Sequence, residues 1–181
     1  MNVICKLKEA EHFLEKLYEV QGVEDRFKRY LDRFLAAVRS IPYFLLRDYS
    51  VRFGLHVPLV EKLYSELFEE IAEQIENKEA INFIQWWKQK MEELEKDPLG
   101  SLLIDERRIN AQNIFMLPEL YKVEAQTRAP LVQKVEEYGV RVGWFFKEYD
   151  MEPVLIVCEK FLNIMKTVSY THLTLPTTER V

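Results

Sequence analysis

Apolar side chains recur at helical spacing along most of this chain. Leu7, Ala10, Leu14 and Leu17 lie three and four apart, which predicts a short amphipathic helix ending near Gly22. Phe27, Leu31, Phe34, Val38, Ile41 and Leu45 alternate spacings of four and three, the seam of a packed helix pair. Pro42 falls inside this run and is expected to kink it or to end its first part near Ile41. Gly54 and Pro58 mark a turn. A second stretch, from Pro58 to about Asn77, places Leu59, Leu63, Leu67, Ile71 and Ile75 on one side. Its opposite side carries Glu66, Glu69, Glu70, Glu73 and Glu76, a solvated acidic face. Ile84, Trp87, Met91 and Leu94 form a third seam.

Asp97 and Pro98 suit the cap and first residue of another helix, expected from Leu99 to about Phe115 and stopping before Pro118. The period then changes to two. Tyr121, Val123, Ala125 and Thr127 recur at every second position, as do Val140, Val142, Trp144 and Phe146. This predicts a small antiparallel β-ribbon over about 121–146. Asp150 and Pro153 are expected to open a last helix with Val154, Cys158, Phe161 and Met165 on one side. The fold class read from these patterns is mainly α: an up-and-down helical bundle, with the ribbon inserted before the last helix.

Composition narrows the setting. The chain has 181 residues, 48% hydrophobic and 13% aromatic, enough for one sizeable core without a metal or disulfide staple. No run approaches the roughly 18 apolar residues a membrane span needs, and no membrane partner is expected. The N-terminus becomes charged too early for a signal peptide, so the expected location is cytoplasmic. A net charge of −5 excludes a general basic coat for nucleic acid, leaving only a local site. Cys5 and Cys158 have neither a CxxC spacing nor a partner histidine, so no metal and no cofactor are expected. Val168 to Val181 is threonine-rich and departs abruptly from the preceding helical pattern. Its Ser-Tyr-Thr-His-Leu-Thr-Leu-Pro-Thr string resembles translated sequencing-adapter DNA. The expected division is thus a single helical domain over 1–167 and a non-native tail over 168–181, the natural chain continuing past Thr167.

One helix carries polar groups where apolar ones belong. At 100° per residue, Leu99, Leu102, Leu103, Ile109 and Ile114 share a side with Glu106, Asn110 and Asn113, and Arg107 lies at its edge. A carboxylate in an apolar stripe must be paired or hydrogen-bonded. Either Glu106 is clamped by an arginine of a neighbouring helix, such as Arg39 or Arg47, or the stripe faces a ligand cleft or dimer seam.

The string Leu103-Ile104-Asp105-Glu106-Arg107-Arg108-Ile109-Asn110-Ala111-Gln112-Asn113 resembles the signature helix of HEPN proteins, a helical-bundle superfamily. There an Arg, often followed by a polar residue, precedes a His with four to six residues between them. Around it stand an Ala36-Ala37-Val38-Arg39-Ser40 step, a Trp86-Trp87 helix and Lys96-Asp97-Pro98-Leu99, an arrangement similar to that of uncharacterised bacterial relatives. The likeness spans roughly Phe27 to Phe115. It implies RNA or nucleotide binding and, in many members, metal-independent ribonuclease action at a dimer interface, in some within toxin–antitoxin pairs. On that resemblance Arg107 and Gln112 occupy the catalytic positions, with Glu106, Arg108, Asn110 and Asn113 binding substrate. Gln112 stands where the histidine belongs, and glutamine does not titrate near neutrality. The expectation is therefore an RNA- or nucleotide-binding protein, a degenerate ribonuclease, with a homodimer or an antitoxin-like protein as partner. The alternative is a non-catalytic helical interaction module whose Glu/Arg/Asn network is structural.

Other candidates read as structural. His12 and His56 lack ligand neighbours, Ser40 and Ser101 lack a nucleophile elbow, and no glycine-rich phosphate loop occurs. Trp87 is expected in the seam, with Trp86 covering an edge. Arg26, Lys28, Arg29 and Arg33 are interleaved with Glu24, Asp25 and Asp32 and read as a solvated face.

Overall fold

The computed structural model describes residues 2–58, 64–97, 100, 120–124, 142–147 and 150–173. These form a mainly helical bundle: α1 (Val3–Glu19), α2 (Glu24–Arg52), α3 (Tyr64–Gln74), α4 (Lys78–Glu95), β1 (Leu120–Glu124), β2 (Val142–Phe146), β3 (Glu152–Pro153) and α5 (Val154–Leu173).

Helix α2 touches every other described helix. Its predicted seam residues, Phe27 through Leu45, are all buried. Asn2 caps α1 by accepting from the Cys5 amide at 3.0 Å. The Val3 amide donates to Asp48 of α2 at 2.8 Å, so a free helix-end donor fixes the start of α1 against α2. Pro42 does not end α2. The helix runs unbroken because Leu45, Leu46 and Tyr49 beyond the proline are all buried. Burying each contributes about 1.5–3 kcal/mol, against roughly 3 kcal/mol for a mid-helix proline.

The α3–α4 pair is joined to α2 by aromatic rings. Tyr49 stacks on Phe83 at 4.1 Å, and Phe68 meets both Phe83 at 5.7 Å and Phe53 at 6.4 Å. The buried face of α3 is Tyr64, Ser65, Phe68 and Ala72, which corrects the expected stripe. Leu67 and Ile71 sit at its edge and Ile75 is 53% exposed. The aromatic pair Tyr64 and Phe68 outweighs the aliphatic row because rings fill more of the gap to α2 and α4. The acidic side of α3 is largely solvent-facing as expected, with Glu69 reaching Lys88 of α4. Left-handed Glu76 (φ 54°) turns the chain, and Asn77 then caps α4 by accepting from the Ala80 amide at 3.0 Å. Beyond α4, Gly100 has no room for a side chain, since a Cβ would collide with the Leu94 carbonyl.

The expected ribbon is a three-stranded antiparallel sheet in the order β1-β2-β3, pairing Tyr121 with Phe145 and Phe145 with Pro153. Pro153 therefore ends an edge strand, where its missing amide is tolerated, and α5 begins only at Val154. β2 is covered on both faces, with Trp144, Phe145 and Phe146 all buried, whereas Tyr121 of β1 is 50% exposed. Trp144 stacks on Phe27 at 4.9 Å with planes 10° apart and donates from its indole to the Gln21 carbonyl at 2.9 Å. This one side chain ties the sheet to the α1–α2 turn. Helix α5 runs past Thr167 to Leu173, with Val168 and Ser169 buried, so the helical pattern does not break at 168.

Phe27→Ala should lower unfolding free energy by about 3–5 kcal/mol in urea titration, since it removes a fully buried ring and unseats Trp144. Ser169 buries a hydroxyl with no hydrogen-bond partner. Ser169→Ala should accordingly raise stability by on the order of 1 kcal/mol in the same titration.

Candidate functional site

The residues the sequence singled out, Glu106, Arg107, Arg108, Asn110, Gln112 and Asn113, all lie outside the described residues. What is described is the helix expected to face them. Arg39 of α2 is only 6% exposed, between the buried Val38 and Ile41. A guanidinium held from water requires acceptors within reach, and Arg39 does have a partner. Arg47, a little over two turns further on, lies 5.0 Å over the Phe44 ring, which Lys6 of α1 also approaches at 5.6 Å. Arg47 has a further contact of its own. α2 thus turns one arginine inward and lays the other on an aromatic face.

The remaining sequence candidates are placed individually. His12 is exposed beside Phe13, with ring centroids 5.6 Å apart, and His56 is exposed in the turn after Gly54. Among the described residues no group of three or more His, Cys, Asp or Glu is arranged to hold a metal ion. Ser40 spends its hydroxyl on the Ala37 carbonyl at 2.7 Å, inside its own helix. Trp87 is 5% exposed with its indole N–H unpartnered, and Trp86 packs at the edge, 6.0 Å from Phe83. Cys5 is exposed and Cys158 buried, both as free thiols. The side chain of His172 lies outside the described residues.

The basic residues near the start of α2 sort themselves in a way that the mixed charge run concealed. Lys28 turns toward Glu24 and pairs with it at 2.7 Å. Arg26, Arg29 and Arg33 are exposed and lie three and four residues apart, on one stripe. Arg33 lies 5.9 Å over Phe13 of α1, and Phe13 is 6.3 Å from Tyr30. The three-and-four spacing was visible in the sequence; the neighbouring ring from α1 was not.

Burial pushes the Cys158 thiol well above its usual 9.0, with the Glu159 carboxylate adding to the effect. Burial also raises the Tyr18, Tyr49 and Tyr64 phenols above their usual 10.0. Tyr18 is held up further by donating to Glu159 across the α1–α5 contact at 2.5 Å. Each such group binds its proton more tightly folded than unfolded. Its contribution is complete below the unfolded value and is lost as pH rises toward the folded one. The unfolding midpoint should therefore fall as pH is raised from 8 through 10 in a thermal-melt series. Cys158→Ala should flatten the first part of that decline.

Comparison of the chain with protein-family models, with curated proteins and with solved structures finds no match in any of the three.

Proposed function

We propose that this chain is a HEPN-like nucleotide- or RNA-binding protein that holds its ligand through Arg107 and has lost acid–base turnover. The observation that supports the reading is the arrangement of the segments that precede the signature string in the chain. The Ala-Ala-Val-Arg-Ser step forms part of the long central helix α2, and the Trp-Trp pair lies on α4 packed against it. Gly100, just before the string that resembles the HEPN signature, lies against the Leu94 carbonyl with no room for a Cβ. In this reading Arg107 grips a phosphate bidentately, and Glu106, Arg108, Asn110 and Asn113 orient it. Gln112 offers hydrogen bonds and no titrating proton, so the bound phosphodiester stays intact.

A second reading is favoured by the burial of Arg39. An arginine only 6% exposed suits a structural clamp on Glu106, which would make the chain a non-catalytic helical interaction module.

Fluorescence anisotropy with a labelled short RNA separates the two. Arg107→Ala should weaken binding by on the order of tenfold, the value of one good charged contact. Unchanged affinity would remove the first reading. Gln112→His should bring weak RNA cleavage, visible on a denaturing gel, if the site descends from a nuclease. For the clamp, Arg39→Met alone should cost about 3–5 kcal/mol in denaturant titration. Adding Glu106→Leu should recover most of it, leaving RNA affinity untouched only if the network is purely structural.

A further inference from the structure

We infer that the first turns of α2 form a second binding surface, one that takes single-stranded nucleic acid, independent of the signature helix. Three observations converge on it. Arg26, Arg29 and Arg33 are exposed on one stripe, spanning about 10 Å of helix at 1.5 Å per residue. Among the described residues none of the three is in an ion pair, and Arg26 and Arg29 have no hydrogen bond either. Lysines elsewhere behave differently: Lys6, Lys16, Lys28 and Lys90 each lean onto a glutamate one turn away, at 2.6–2.7 Å. None of the nearby acids is paired with the stripe, whose three cations outnumber the two aspartates beside it. Glu24 is taken by Lys28, and Asp25 and Asp32, one turn before and after Arg29, border the stripe on its side away from the rings without closing an ion pair with it.

The third observation decides between classes of anion. The side of the stripe nearer the core is lined by rings: Tyr30 of α2 and Phe13 of α1 are half-buried, and His12 is exposed beside Phe13. A row of guanidiniums alone would serve any polyanion. A row of guanidiniums with aromatic faces alongside matches a strand whose phosphates and unpaired bases are presented together. In a duplex the bases are stacked on one another and offer no free face to Phe13 or Tyr30. Arginine also suits phosphate better than lysine here, because its planar fork makes two parallel hydrogen bonds to one phosphate. The chain's net charge of −5 gives no general attraction for polyanions, so contact depends on local basic sites such as this strip.

The test is a salt series with labelled twelve-nucleotide oligo-U and oligo-dT, read by anisotropy. The triple variant Arg26→Gln, Arg29→Gln, Arg33→Gln should bind both about tenfold more weakly at low salt. Its plot of log affinity against log salt should be shallower by about 2, the share of three phosphate contacts on a single strand. Tyr30→Leu, which keeps an apolar filler, should weaken binding with the salt slope unchanged. A control with the same change in charge, Lys8→Gln, Lys78→Gln, Lys96→Gln, should behave as wild type. Equal losses in the control and the triple variant would overturn the assignment, as would tighter binding of the matching duplex or no binding by wild type at low salt. Arg107→Ala in the same series reports on the signature helix alone. Its effect bears on that reading and leaves the α2 surface standing or falling by its own variants.

Discussion

The structure depends on keeping α2 continuous through Pro42. A proline in mid-helix removes one backbone hydrogen bond and crowds the preceding turn, yet α2 spans 29 residues without interruption. It does so because buried side chains lie on both sides of the proline: Val38 and Ile41 before it, Leu45, Leu46 and Tyr49 after it. Were the helix to stop at Ile41, Tyr49 could not stack on Phe83, and the α3–α4 pair would lose its anchor. The far end of the same helix carries Phe27, the platform for Trp144, so the sheet depends on it as well. Helix pair, sheet and C-terminal helix all take their positions from one rod.

The cations of the chain are used according to their chemistry. Lysine ammonium groups, compact and strongly hydrated, sit in exposed ion pairs with glutamates, most of them one turn away. Arginines are spent on planar contacts: Arg33 over Phe13, Arg47 over Phe44 and Arg52 over Tyr49. Arg39 is taken inside altogether. Lys6 shares in both roles, lying over the Phe44 ring while paired with Glu9.

Much of the architecture was legible along the chain, for a plain reason. The seams of α2 and α4 are dictated by local periodicity, and every residue predicted for them is buried. Where two rows compete, periodicity does not choose. In α3 the aliphatic row Leu67, Ile71, Ile75 and the row Tyr64, Phe68, Ala72 fit the helix equally well, and only the shape of the gap against α2 and α4 selects the second. Pro153 is an equally good helix opener and edge-strand residue; pairing with Phe145 decides. The candidate site divides along the same line. Glu106, Arg107 and their neighbours were picked out by polar residues on an apolar stripe, a local signal, and they fall outside the described residues.

The sequence by itself determined the helical class, the seams, the place of the sheet before the last helix and the turns at Gly54 and Asn77, because these follow from side-chain period and backbone preference within a few residues. Only the tertiary structure decided that Arg39 is sealed inside and that Trp144 closes the sheet onto Phe27. The same holds for the three arginines of α2, which lie open beside rings from two helices. Those outcomes rest on distances between residues far apart in the chain. A string of letters fixes which groups are available, while packing fixes which of them are left facing water.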